Sequence, residues 1–208
     1  MRSLPLLENS KRSFAIFRPI DSPLRNVRQW AETAAGLGEP APWAATLATV
    51  SADGVPSARM VSIKRLGDEE IVFSTALWTR KARDLAANPH VAVLFFWPRL
   101  ERQAHVTGEA RLAERELAEE LWAERPRDHQ IQAHVSRQGE PISSLEPLRE
   151  AREQTAAGGG SLACPEDWGA FVISPTVVEL WTEAPDRLHD RLLYRRSGAS
   201  WTVTRLAP

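Results

Sequence analysis

The sequence carries a single cysteine, Cys164, among 208 residues. A disulfide framework is thereby excluded, and a reducing cytoplasm is the expected setting. No apolar run approaches the ~20 residues of a spanning helix, and the N-terminus lacks the charged and apolar blocks of a signal peptide. A soluble, intracellular chain is expected. An excess of one charge is missing too, since 26 Lys and Arg stand against 27 Asp and Glu. No global field draws such a chain to nucleic acid or to a membrane, so any anion site has to be local. Tyrosine is nearly absent, one residue against eight tryptophans, an imbalance that core and interface packing explains without chemistry. What is present is enough length, at 23.2 kDa, to bury a core as one domain or a fused pair of small ones.

Residues 1–21 show no clear period and carry Lys11, Arg12 and Arg18 among scattered apolar residues; they read as an arm or mobile segment. Ser22-Pro23 is an N-cap followed by proline at the first helical position, opening a helix that Gly38 and Pro40 close. Apolar runs predict strands over 44–51 and 56–66 around an Asp53-Gly54 turn, then a third over 70–75. A short helix follows from the cap Thr79 to the stop Asn88-Pro89. Strands are expected over 90–97 and 101–113, then helices over 114–124, 129–136 and 143–155, with Ser143 and Glu146 at capping-box spacing. Gly158-Gly159-Gly160 reads as a flexible link, because no strand leads into it. Strands over 168–174, 177–181, 191–196 and 200–206 complete the chain. The expected fold class is mainly β with flanking helices, α+β, as one antiparallel domain over 22–208.

Three stretches carry chemistry. Arg59-Met60-Val61-Ser62-Ile63-Lys64 puts a cation at each end of an apolar strand. Side chains alternate, so Arg59, Val61 and Ile63 share one face and Met60, Ser62 and Lys64 the other. Two anionic groups, one per face, are the simplest partners for cations held among core residues; an edge strand whose cations reach water is the plain alternative. The helix after Thr79 opens with Arg80, Lys81 and Arg83, the wrong sign for the partial positive charge at a helix N-terminus. A phosphate bound to the free N–H groups and these cations reverses that cost, whereas a solvated basic turn simply bears it. Arg187-Leu188-His189-Asp190-Arg191, if extended, turns Arg187, His189 and Arg191 to one face, suited to an anionic or electron-rich ligand. Taken alone, the stretch is accounted for more simply by an exposed loop in which Asp186 and Asp190 neutralise the arginines.

In order along the chain, these stretches join Ser74-Thr75, Thr79-Arg80-Lys81, Leu100-Glu101-Arg102-Gln103, Arg125-Pro126-Arg127-Asp128, Ser136-Arg137-Gln138, Trp181 and the closing Arg205-Leu206-Ala207-Pro208. Together they resemble the pyridoxine/pyridoxamine 5′-phosphate oxidase family across residues 23–208. The resemblance implies an FMN-binding split β-barrel, antiparallel, working as a homodimer with two equivalent sites at the subunit interface. It implies that Arg59, Arg80 and Lys81 hold the FMN phosphate. The backbone of Met60, Val61, Ser62, Ile63 and Lys64, with Ser74 and Thr75, lines the flavin, and Gln103 faces the isoalloxazine. Gln138, with Gly139 beside it, Trp181 and Arg191 complete the flavin site from the other subunit. For the substrate it implies Lys64, Arg125 and position 129 on the phosphate, with Arg187 and His189 near the reacting carbon in orienting and electrostatic roles. No metal is called for.

The sequence departs from the family pattern at the substrate phosphate. Leu121 stands where the family has Tyr, His129 where it has Ser, and Gly139 where it usually has Ser. Gln132 and His134 interrupt its Ile-Gly-Ala-Trp run. Losing two hydroxyl donors costs on the order of 1–3 kcal/mol each, which His129 can offset as a donor. The implied reaction is oxidation of pyridoxamine or pyridoxine 5′-phosphate to pyridoxal 5′-phosphate, with O₂ reduced to hydrogen peroxide. Two alternatives stand beside it: an FMN oxidase of another compound, such as a phenazine-type intermediate, and a flavin-binding protein without turnover.

Overall fold

Alternation sets the sheet. In the computed structural model, which describes residues 22–208, β1 (Ala44–Val50) buries Ala45, Leu47 and Thr49 and turns the residues between them outward. The arm expected over residues 1–21 lies outside the described residues. The hairpin partner β2 (Pro56–Leu66) begins and ends where the sequence pattern places it, and β3 (Ile71–Ala76) follows. After helix α2 (Arg80–Ala87) come β4 (His90–Trp97) and β5 (Arg102–Leu112). Three helices then cross the surface: α3 (Arg115–Ala123), α4 (Arg127–Val135) and α5 (Glu146–Ala157). The chain ends in β6 (Trp168–Thr182), β7 (Asp190–Ser197) and β8 (Ser200–Leu206).

All strand pairings are antiparallel, in the order β3-β2-β1-β4-β5-β6-β7-β8. A further pairing of β3 with the first half of β6, Ile71 opposite Ile173 through Ala76 opposite Trp168, closes six strands into a barrel. Strands β7 and β8 extend from β6 beyond the closure. This is the antiparallel split barrel that the sequence implies.

The barrel interior is filled by Leu47, Val93, Phe95, Val106 and Ile173, with Phe73 and Phe171 stacked at 5.4 Å between ring centroids. Helix α1 (Pro23–Gly36) adds Leu24, Val27, Trp30 and Ala34 to the same core. On the opposite face of β3 and β6, Ala118 and Leu121 of α3 pack on Val72, Ala170 and Val172. Both faces of these two strands are thus covered, which is why they read as continuous apolar runs.

Four local expectations are corrected. Residues 168–182 form one strand, not two around Pro175, because a register shift at Thr107/Gly108 lets β5 follow it through the proline. Gly108 is required there, since a Cβ would lie 2.2 Å from the Ser174 carbonyl oxygen. Ser22 and Thr79 occupy N-cap positions, but the Ser22 hydroxyl donates to the Asp68 carbonyl and the Thr79 hydroxyl to the Ala76 carbonyl, so neither caps its helix. Helix α5 begins at Glu146 behind Leu145, so Ser143 lies outside any capping box. The glycine link is tied rather than loose, since Arg127 donates to the carbonyls of Gly159, at 2.8 Å, and Gly160.

Candidate functional site

Strand β2 delivers its two cations as alternation demands. Arg59 lies on the inward side with Val61 and the buried Ile63, whereas Met60 and Ser62 are exposed and Lys64 reaches the Ser62 hydroxyl at 3.3 Å. Five residues of extended chain separate the two cations by about 16 Å. They belong to two different clusters.

The first cluster gathers where β1, β2, β3 and α2 meet. Arg59 donates to Thr49 Oγ1 at 2.7 Å, the Leu47 carbonyl at 3.2 Å and Ser57 Oγ at 2.8 Å. Asp84, one turn into α2, sits 3.8 Å from both Arg59 and Arg80 and accepts from Thr49 at 2.6 Å. Lys81 is 8% exposed and donates to Thr75 Oγ1 at 3.2 Å, with no carboxylate partner among the described residues. Burial pushes the Lys81 ammonium below its ordinary pKa, and the charge of Arg59 pushes it further the same way. The same cause, burial, lowers Arg59, opposed by Asp84. On the other face of β3, shared with Val72 and Ala76, the Ser74 hydroxyl is buried without a hydrogen-bond partner among the described residues. Among the described residues three cations face one carboxylate, leaving two positive charges in excess at the first turn of α2.

The second cluster lies at the other end of β2. Burial lowers the pKa of Lys64; the charge of Arg125 adds to that and the charge of Glu124 opposes it. Arg125 stacks on Trp168 and Trp122 and donates to the His129 carbonyl at 3.0 Å. His129 is exposed on the first turn of α4, while Leu121 is 1% exposed and locked in the apolar contact with β3 and β6. Its position offers no donor to a ligand. Glu124 and Glu120 are held by Arg65, at 2.7 and 3.0 Å from its guanidinium, and of the two only the charge of Glu124 acts on Lys64.

The third group is a row across the sheet. Phe96, Gln103, Trp181, Arg191 and Leu206 stand opposite one another on β4 to β8. Gln103 therefore stands in one row with Trp181 and Arg191. Arg191 pairs with Glu179 at 2.7 Å. His189 lies 4.8 Å from the Trp181 ring, and its Nδ1 accepts the Ala184 N–H at 3.2 Å, which leaves Nε2 as the nitrogen bearing the proton. Arg187 is exposed with φ 66°, so the stretch before Asp190 is a turn and Arg187 shares no strand face with His189 and Arg191. Asp190 pairs with Arg205 at 2.8 Å. Gln138 and Gly139 are exposed between α4 and α5, next to Arg137, which stacks on Trp78.

Along the sheet, the row that carries Trp181 lies four strands from Ser62 of β2. The sequence reading overlooked Thr49, Asp84, Trp122 and Trp168. Asp84 had a signal, its i,i+4 spacing from Arg80; the others are joined to their partners only through space.

Comparison with known proteins gives the same answer. Residues 38–157 match the family model described as pyridoxamine 5′-phosphate oxidase. Residues 168–208 match that of the pyridoxine 5′-phosphate oxidase C-terminal dimerisation region. The chain is 40% identical over 193 residues to a pyridoxine/pyridoxamine 5′-phosphate oxidase of Salinibacter ruber, covering 90% of each. With the enzyme of that name from Rubrobacter xylanophilus it shares 42% over 188 residues, covering 89% of this chain and 87% of the other. The crystal structure of PhzG from Burkholderia lata in complex with tetrahydrophenazine-1-carboxylic acid superposes with a TM-score of 0.87 at 29% identity, over 91% of this chain and 94% of that one. The chain belongs to the pyridoxamine 5′-phosphate oxidase family of FMN-dependent oxidoreductases.

Proposed function

We propose that this protein oxidises pyridoxamine or pyridoxine 5′-phosphate to pyridoxal 5′-phosphate. One observation carries the reading: β2 sends a cation from each end into a separate cluster that has more positive charge than its own carboxylates neutralise. Two phosphorylated ligands, a cofactor and a substrate, are what two such clusters suit.

The residues present fit FMN. The two excess positive charges around Arg59, Arg80 and Lys81 match a phosphomonoester, which carries about −1.5 to −2 near neutral pH, and the buried Lys81 ammonium meets no carboxylate among the described residues. Arg59, Arg80 and Lys81 would hold the phosphate, with the backbone of 60–63 and Ser74-Thr75 along the flavin. The chemistry FMN supplies when bound is two-electron oxidation of the substrate with O₂ as final acceptor. The protein binds and orients. Lys64 and Arg125 grip the substrate phosphate, with His129 replacing a hydroxyl donor; Arg187 and the His189 Nε2–H steer the pyridine ring.

A homodimer completes the site. Gln103, Trp181 and Arg191 would reach the flavin together from a second copy, and the matched dimerisation region and the exposed Met60 and Phe96 support that arrangement. Leu121 favours a second reading, oxidation of a non-phosphorylated dihydroaromatic compound, because a buried leucine gives a phosphate nothing.

Steady-state assay of the yellow protein with pyridoxine 5′-phosphate, following peroxide and aldehyde, decides between them. Aldehyde formation supports the first reading. No product at millimolar substrate, with flavin reduction by a dihydroaromatic, supports the second.

A further inference from the structure

We propose that Trp168 and Trp122 are positioning residues for the substrate phosphate, holding the Arg125 guanidinium in place by stacking instead of by ion pairing. The inference rests on the assignment of Lys64 and Arg125 given above. The Arg125 Cζ lies 4.4 Å from the Trp168 ring centroid and 5.5 Å from that of Trp122. The two indoles meet at 70° with centroids 5.2 Å apart, so they form a corner around the cation.

That corner is rigid. Trp122 is 3% exposed; its indole N–H donates to the Leu162 carbonyl at 2.7 Å, and its own carbonyl accepts from Gln130 at 2.9 Å. Trp168 is 8% exposed and opens β6 directly opposite Ala76 of β3, one register step from Gly169 opposite Thr75. The clamp on Arg125 is therefore built into the strand pair that also carries the flavin-side hydroxyl of Thr75.

The charge arrangement gives the reason for stacking. A carboxylate would fix Arg125 just as well, but it would neutralise the guanidinium and occupy its fork of donors. An indole face attracts the cation through its quadrupole and leaves the edge N–H groups and the net charge available. The structure shows both solutions side by side. Arg65 takes Glu120 and Glu124, while Arg125, adjacent to Glu124 in sequence, meets neither carboxylate and makes one hydrogen bond among the described residues, to the His129 carbonyl. Its Nε is buried without a partner.

The test uses the full-length, FMN-loaded protein with pyridoxine 5′-phosphate as substrate and pyridoxal 5′-phosphate as binding probe. Trp168→Leu is expected to raise KM and the probe's Kd by roughly 3- to 30-fold, leaving flavin content intact. The turnover number should stay within about twofold, since the clamp acts on binding. Trp168→Phe, which keeps a π face, should recover most of the loss. In an Arg125→Gln background, adding Trp168→Leu should change KM by less than about twofold, because the cation it acts on is already gone. An unchanged KM in Trp168→Leu, or an equal rise in both backgrounds, overturns the clamp while leaving the proposed activity standing. If Trp168→Leu does not purify with flavin, Trp168→Met fills the volume without a π face and faces the same two criteria. A wild-type protein that neither oxidises the substrate nor binds the probe overturns the parent reading, and the clamp with it.

Discussion

The Thr49 hydroxyl donates to the Asp84 carboxylate at 2.6 Å and accepts from Arg59 at 2.7 Å, joining strand β1 to helix α2 through one buried oxygen. Thr49 has no exposed surface and Asp84 only 5%. The one carboxylate that this cation cluster meets among the described residues is thus fixed by a neutral donor, and Arg59 is held at the same point.

Thr49→Val keeps the shape and removes both bonds. Asp84 then loses its hydroxyl donor inside the protein, at a cost of about 1–3 kcal/mol. The melting temperature of the flavin-free protein should fall, and flavin should leave faster on dialysis, read by absorbance. An unaltered melt and full flavin retention would show that the joint has no such role.

Lys81 gives a pH signature. Its pKa in the folded, flavin-free protein lies below the ordinary 10.5, first through burial and then through Arg59. Between that lowered value and 10.5 the unfolded chain binds the extra proton, so stability rises with pH across this window; below it the destabilisation is complete. Lys81→Met should flatten the rise in melting temperature and at the same time lose FMN. Arg80→Ala combined with Lys81→Ala should weaken FMN retention far more than folding. A double variant that purifies fully yellow contradicts the assignment.

The apolar outer face predicts assembly. Met60 and Phe96 are 63% and 57% exposed, and Phe96 heads the row that carries Gln103 and Trp181. Phe96→Asp would place a charge in the surface we assign to the second copy. Light scattering coupled to gel filtration should show monomer, with flavin content reduced in parallel. A fully yellow dimer would move the interface elsewhere.

Tyr194 is 1% exposed, and its hydroxyl meets no hydrogen-bond partner among the described residues. Burial, and then Asp190, push its pKa from 10.0 up to about 12. A raised value gives stability that is complete below pH 10.0 and is lost as pH climbs through about 12. Tyr194→Phe should melt no lower than the parent near neutral pH, and its alkaline loss should be smaller. A marked drop at neutral pH would reveal a partner for the hydroxyl.

Much of this molecule is legible in residue order. Period-two alternation places β2, β4 and β8 with their observed bounds and sends Arg59 and Lys64 to different clusters. Alternation is a property of extended backbone, so neighbours in sequence suffice to read it. The ordered motifs likewise carry the family. The failures differ in cause. The Ser22 hydroxyl, open to a local cap, finds the Asp68 carbonyl across 46 residues, whereas that of Thr79 turns back three residues to the Ala76 carbonyl. Arg187 shares a face with His189 and Arg191 only if the stretch is extended, and a positive φ at the turn takes it off that face. Pro175 reads as a break until the slip beside Gly108 gives it room.

The sequence by itself determined the strands, their faces, the near-neutral charge that makes any anion site local, and the chemistry available to it. Only the tertiary structure decided which cations stay unneutralised. Thr49 meets Asp84 across 35 residues, and Arg125 meets Trp168 across 43, because β3 closes on β6 and α2 folds back onto β1. A charge is neutralised or left free by what lies within a few ångströms of it, and that distance is set by the closed barrel, not by spacing along the chain.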